Sequence, residues 1–216
     1  MRTEGIAATV ELPARQLIIA CGALACEVAA LRRVNDWSHV DVVCLPPELH
    51  NRPERIAGAV REQIHRHRRD YADIFVAYGE CGTRGALDAV LREEGVERIA
   101  GAHCYEFYAT PAVFSGLADA EPGSFYLTDF LLRHFERLVI RALGIDRHPE
   151  LLPAYFGNYH RLVYLAQAPK PDSESQAQAI AERLGLEYRF ESTRYGGLEQ
   201  GLAKFAGRPR TVPWRA

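Results

Sequence analysis

The chain has 216 residues, 48% of them hydrophobic and 25% charged, with 26 basic side chains against 28 acidic ones. That length points to one domain of ordinary size, with enough apolar residues to close a core without covalent staples. The composition excludes a disordered polyelectrolyte and a disulfide-knitted mini-protein, and a net charge of -2 argues against a basic nucleic-acid footprint.

The first apolar run, Gln16 to Ala20, ends at Cys21-Gly22 and leads into a helical pattern carried by Leu24, Val28 and Leu31. The second, Val40 to Leu45, ends in Pro46-Pro47, and Asn51 with Pro53 reads as a cap and first turn for a helix with Ile56, Val60 and Ile64 on one face. Its basic end, His65 to Arg69, reads as a solvated helix C-terminus. The third run, Asp73 to Tyr78, ends in Gly79-Glu80-Cys81-Gly82-Thr83-Arg84-Gly85, with a helix resuming at Ala86 and stopping near Gly95. A shorter run, Arg98 to Gly101, leads into His103-Cys104-Tyr105-Glu106-Phe107. Phe125 to Leu127 reads as a brief extended piece before Thr128 caps a long helix from Asp129 to Leu143. Leu162 to Ala166 is a further strand, a helix with Ala177, Ile180 and Leu184 stops at Gly185, and Tyr188 to Glu191 is a last strand before a final helix.

Strands and helices that alternate, with near-continuous apolar strands, predict an α/β fold. The expected architecture is a single domain with a mostly parallel sheet and helices on both faces, a Rossmann-like three-layer sandwich. Residues 1–15 are expected to be an N-terminal extension, 16–206 the domain and 207–216 an unstructured tail.

Three of the five cysteines share one structural address. Cys21, Cys81 and Cys104 each follow an apolar run, just where a helix begins. In open α/β sheets that edge forms the ligand crevice, and neighbouring strands bring loop side chains within reach of one ion. Helix N-termini favour the thiolate, the form that binds metal or attacks carbon. The expected metal ligands are Cys21, Cys81, His103 and Cys104, with zinc as the ion and an iron–sulfur cluster as the alternative. A cysteine nucleophile with His103 as base, or plain buried thiols, would also account for the residues. Cys44, inside an apolar run, reads as core, and Cys26, about 140° round a helix from Cys21, stays outside the site.

Polar residues in the predicted loops and strand ends, beside the cysteines and elsewhere, are the candidates for chemistry on a substrate. Glu106 and His50 are expected to be catalytic. Arg52, Arg84, Tyr105 and Asp129 are expected to bind substrate, with Arg84 suited to a carboxylate or phosphate. The stretch from Asp146 to Tyr159 is long for a helix-to-strand connection and reads as a lid over the crevice or a dimer surface.

No stretch approaches the roughly 18 apolar residues of a membrane span, and the opening residues lack a signal-type apolar core. A cytoplasmic location is expected. The odd number of cysteines fits a reducing compartment.

Several longer motifs carry a resemblance. Ile19-Ala20-Cys21-Gly22-Ala23-Leu24, Leu49-His50-Asn51-Arg52-Pro53-Glu54-Arg55-Ile56, Ala77-Tyr78-Gly79-Glu80-Cys81-Gly82-Thr83, His103-Cys104-Tyr105-Glu106-Phe107, Phe125-Tyr126-Leu127-Thr128-Asp129, Asp146-Arg147-His148-Pro149-Glu150-Leu151 and Tyr155-Phe156-Gly157-Asn158-Tyr159 together make the chain resemble the bacterial and archaeal family called domain of unknown function 1638. Genes of that family often accompany corrinoid-dependent methyltransferases. The resemblance therefore implies a role in one-carbon methyl transfer or in upkeep of a corrinoid system. The expected function is a metal-binding protein or enzyme acting on a small molecule in that setting. The alternatives are a non-catalytic partner of a corrinoid methyltransferase and a metal-free cysteine hydrolase or transferase. The expected partners are a small-molecule substrate, a corrinoid protein or methyltransferase, and a second copy of the chain.

Overall fold

A computed structural model describes residues 15–208. Residues 1–14 of the expected N-terminal extension and 209–216 of the expected tail lie outside these residues. Among the described residues, seven strands and eight α-helices follow one another in the expected α/β order. All strand pairs are parallel, and they form two sheets.

The first sheet has the order β2-β1-β3-β4, from β1 (Gln16–Cys21), β2 (Val40–Leu45), β3 (Asp73–Ala77) and β4 (Glu97–Arg98). Every residue of β1 is buried, which is why its sequence is apolar without alternation. Helices α1 (Ala25–Val34), α2 (Ile56–His67) and α3 (Ala86–Glu94) connect these strands. Ile56, Val60 and Ile64 are each 0% exposed, so the four-residue spacing of α2 does mark its inner face. Burying one such side chain is worth about 1.5–3 kcal/mol.

The second sheet has the order β5-β6-β7, from β5 (Ser124–Thr128), β6 (Arg161–Ala166) and β7 (Glu187–Ser192). Helices α5 (Asp129–Phe135), α6 (Leu152–Phe156) and α7 (Ser173–Leu184) supply Leu132, Phe135, Phe156, Ala177, Ala181 and Leu184 to its core. The last helix, α8 (Gly196–Ala206), does not stay with this sheet. Leu198, Leu202 and Phe205 return to the core of the first one. Phe205 stacks on Phe75 at 5.0 Å, and its carbonyl accepts from the buried Gln16 side chain. Arg208, the last described residue, pairs with Asp73 and Glu97.

Several local expectations need correction. The run Arg98–Gly101 gives only the two residues of β4. Glycine at 101, with φ 151°, turns the chain toward the cysteine loop instead of extending the strand. Asn51 is not a helix cap, because two 3-10 turns, Pro47–Asn51 and Pro53–Arg55, precede α2. Cys44 is exposed, since β2 is an edge strand with one covered neighbour. Helix α4 (Pro111–Ala120) was not expected; its signal is Thr110-Pro111, with the threonine oxygen accepting from the amide of Val113. The expected long helix after Thr128 runs as α5 and then widens into a π-helix, Glu136–Arg141. Thr128 does cap it, accepting from the amide of Leu131 at 3.2 Å.

Candidate metal centre

Strands β1, β3 and β4 are consecutive neighbours in the first sheet, so the three cysteine loops leave one edge side by side. Cys21 is the last residue of β1, and its sulfur accepts from the amide of Ala23 at 3.4 Å. Beyond β3, the amides of Glu80 and Cys81 donate to the carbonyls of Gly101 and Ala102 at 3.0 and 2.7 Å, zipping two loops together. Cys81 has φ 48°, a left-handed conformation that costs a residue with a side chain on the order of 1 kcal/mol and persists where surroundings enforce it. The outcome is a contact of 3.3 Å between the sulfurs of Cys81 and Cys104.

Two glycines make room for this. A β-carbon on Gly22 would lie 2.8 Å from the carbonyl oxygen of Leu45 and 2.9 Å from the Pro47 ring, so the exit of β2 can cross directly over Cys21. A β-carbon on Gly79 would lie 2.7–2.9 Å from backbone atoms of His103 and Cys104. Because Gly22 lets that exit through, the turn Pro47–Asn51 carries His50 to the cysteines, with Nδ1 at 3.7 Å from Cys21 Sγ and 3.3 Å from the Pro47 carbonyl oxygen.

Cys21, His50 and Cys104 each offer one ligand atom, and the three atoms lie within 4.8 Å of one another. The sulfurs are buried and His50 is exposed on one side, so the group has a dry floor and an accessible edge. Two thiolates and an imidazole suit zinc, which takes four ligands and in catalytic sites keeps one position open. Cys81 touches this group through Cys104 and stands beside it.

The protons of the metal-free cluster are shared. A hydrogen bond from Cys104 holds the thiols of Cys21 and Cys81 well below the usual thiol range, against the opposing effect of burial. Cys104, which hydrogen-bonds to both and is buried, is pushed up. Burial acts to lower the pKa of His50, but hydrogen bonds to the sulfurs of Cys21 and Cys81 outweigh it and raise the imidazole to about 10. Metal binding has to displace these protons.

A cavity of about 310 Å³ adjoins the cluster between the two sheets. His50 and Cys104 line it, while Tyr105, Tyr126, Phe125 and Tyr159 form aromatic walls. Tyr105 lies between His103 and Tyr126 in a stack with centroids 4.8 and 5.2 Å apart. Leu138 and Val139, from the π-helix, complete the far wall. Such helices are rare and occur often at functional sites.

The other expected site residues are placed as follows. His103 is half-buried and stacked on Tyr105, outside the group of three ligand atoms. Glu106 accepts from the amide of Ala102 at 2.7 Å and braces the cysteine loop. Glu80 accepts from Gly82, Thr83 and Gly85 and folds its own loop, which keeps its carboxyl below the usual carboxylate range. Arg52 and Arg84 are exposed and outside the cavity wall. Asp129 is buried, accepting from the Tyr164 hydroxyl at 2.6 Å and the amide of Ala168 at 2.7 Å, while its neighbours Thr128 and Phe130 line the cavity. From the long connection, Tyr159 reaches the cavity wall and packs edge-on to Phe125.

The place of His50 beside Cys21 and Cys104, where it could help to hold a metal, was missed. Its signal was the Pro46-Pro47 pair, which turns the chain back over the sheet edge instead of releasing it into solvent. No described helix is long and apolar enough to cross a membrane. The family model described as Protein of unknown function (DUF1638) matches residues 44–202. No curated protein and no solved structure matches the chain.

Proposed function

Since the chain belongs to the DUF1638 family, whose description names no reaction, its function must be read from the site, and we propose a zinc metalloprotein that binds and activates a small molecule. The observation that carries this is the grouping of Cys21, His50 and Cys104 with two of the three on a cavity wall. When bound, zinc would act as a Lewis acid on a donor atom of the small molecule. The chain's own contribution is to fix the ligands, exclude water with Tyr105 and Tyr126, and hold the cysteine loops rigid through Gly79, Glu80 and Glu106. As the finer reading we place this chemistry in methyl transfer of the corrinoid-linked kind that the resemblance implies. A corrinoid protein or methyltransferase would then be the partner.

Elemental analysis of the purified protein tests the reading. About one zinc per chain is expected. Cys21→Ser, His50→Ala and Cys104→Ser should each lower that content sharply, whereas Cys26→Ser should not. Cys81→Ser decides whether the fourth sulfur is a ligand. Metal well below one per chain, with no change in stability on adding zinc, overturns the proposal. Iron and sulfide with broad visible absorption would favour the iron–sulfur alternative.

A second reading is thiol chemistry without metal. It is favoured by the depressed thiol of Cys81 in contact with Cys104. It requires one thiol in the metal-free chain to alkylate much faster than the others near neutral pH, and equal slow labelling removes it.

A further inference from the structure

We propose that the molecule taken up beside the metal centre is uncharged and largely apolar, and that it presents a sulfur donor to the ion. This deepens the zinc reading and rests on it. The first observation is what the cavity wall lacks. Among the described residues that line it, none is Lys, Arg, Asp or Glu. A buried charge needs a counter-charge or a full set of hydrogen bonds, and this wall offers a phosphate or a carboxylate no cationic side chain, only the hydroxyls of Ser124, Thr128 and its tyrosines and the amide of Asn51. Charged residues next in sequence to the wall are occupied elsewhere or stand outside it. Glu48 and Arg137, adjacent to Pro47 and Leu138, pair with each other. Asp129 is held by Tyr164 and Ala168, and Arg52 is exposed.

Aromatic walls by themselves would also suit an organic cation. The ligand set of Cys21, His50 and Cys104 weighs against that: its two cysteine thiolates balance the two positive charges of zinc, and the cysteamine probe below reads whether Cys81 beside it adds a negative charge that draws a cation. What remains is aromatic surface and a thiolate-rich, soft ion. Soft donors match such a centre better than alcohols or carboxylates do. Sulfur also packs favourably against aromatic rings, of which Tyr105, Tyr126 and Phe125 supply three. A volume of about 310 Å³ is at the lower end for small-molecule sites and admits a single-ring or branched-alkyl body with its thiol or thioether.

The experiment is direct binding to the zinc-loaded full chain by calorimetry, repeated with cobalt in place of zinc to read sulfur-to-metal absorption. The probes are benzyl mercaptan, benzyl alcohol, mercaptoacetate and cysteamine. Benzyl mercaptan should bind at least about tenfold more tightly than the other three and should raise new charge-transfer absorption. Equal or tighter binding of mercaptoacetate or cysteamine overturns the uncharged assignment. Equal binding of benzyl alcohol overturns the sulfur assignment. Leu138→Arg, at a half-buried wall position, should improve mercaptoacetate binding by about tenfold and weaken benzyl mercaptan. No change in that variant, with its fold intact by circular dichroism, overturns the cavity as the site. A chain that takes up no metal overturns the zinc reading together with this one, whereas a metal-loaded chain without the preference overturns this one alone.

Discussion

The amide of Gly79 donates to the sulfur of Cys104 at 3.4 Å, across two loops that are separated by the whole of α3 and β4. The approach depends on the missing side chain, because a β-carbon there would meet the His103 backbone at 2.7 Å. Gly79→Ala must push the cysteine loops apart. The expected cost is about 1–3 kcal/mol of stability together with weaker metal binding. Urea unfolding and a chromophoric-chelator competition measure the two effects. Gly58→Ala is the contrasting case. It lies in α2 with nothing within 4 Å of the added carbon, and it should stabilise by about 0.5–1 kcal/mol.

Metal affinity should climb steeply with pH. Cys104 holds its proton above the usual thiol range, and His50 holds its proton up to about 10. Both protons must leave before the ion can bind, so each is a competitor that weakens as pH rises. Release of one to two protons gives about a ten- to one-hundredfold rise in affinity per pH unit across neutral to mildly alkaline pH. Chelator competition at several pH values measures the slope. A flat profile would mean that the ligands are already deprotonated.

Glu27 sits in α1 at 5% exposure, with Oε2 lacking a hydrogen-bond partner. Burial raises its pKa above the ordinary carboxylate value, partly offset by the field of Arg133. The folded state therefore binds its proton more tightly than the unfolded state. The contribution to stability is complete below the unfolded pKa and is lost as pH rises through the folded one. Glu27→Gln should leave stability at acid pH nearly unchanged and raise it at pH 8. Thermal melts of both proteins across that range provide the check.

Asp129 is a buried acid whose oxygens do have partners. Its carboxylate is buried but answered by the Tyr164 hydroxyl and the Ala168 amide, which ties the end of β5 to the end of β6. Asp129→Ala leaves both donors without an acceptor and should destabilise by about 2–4 kcal/mol. Asp129→Asn keeps one acceptor oxygen and should cost less. Denaturant midpoints of the two variants, compared at equal slope, decide it.

Much of the fold and part of the site were legible in the residues. The apolar runs of β1, β3 and β6 are long enough to stand out from any helix pattern, and Cys21, Cys81 and Cys104 declared themselves by their common place after strands. What stayed hidden depended on partners distant in sequence. His50 reaches Cys21 because Gly22 admits the β2 exit above that cysteine, a relation between two elements that no single window contains. Division of the strands into two sheets is equally non-local, since the central strands β1, β3 and β6 are alike in apolar character although β6 belongs to a different sheet. The exposure of Cys44 follows from β2 lying at an edge, which only the strand order reveals. The π-helix after Phe135 has no sequence signature of its own.

The homecoming of α8 has a consequence for biosynthesis. Leu198, Leu202 and Phe205 fill the interior formed by strands made far earlier, at residues 16–21 and 73–77. During translation the leading half of the molecule must wait, with apolar surface uncovered, until residue 206 clears the ribosome. The trailing sheet, by contrast, has its own complement of helices before that point. A polypeptide cut short just ahead of Gly196 should therefore display a hydrophobic wound on its first half and become a client of chaperones.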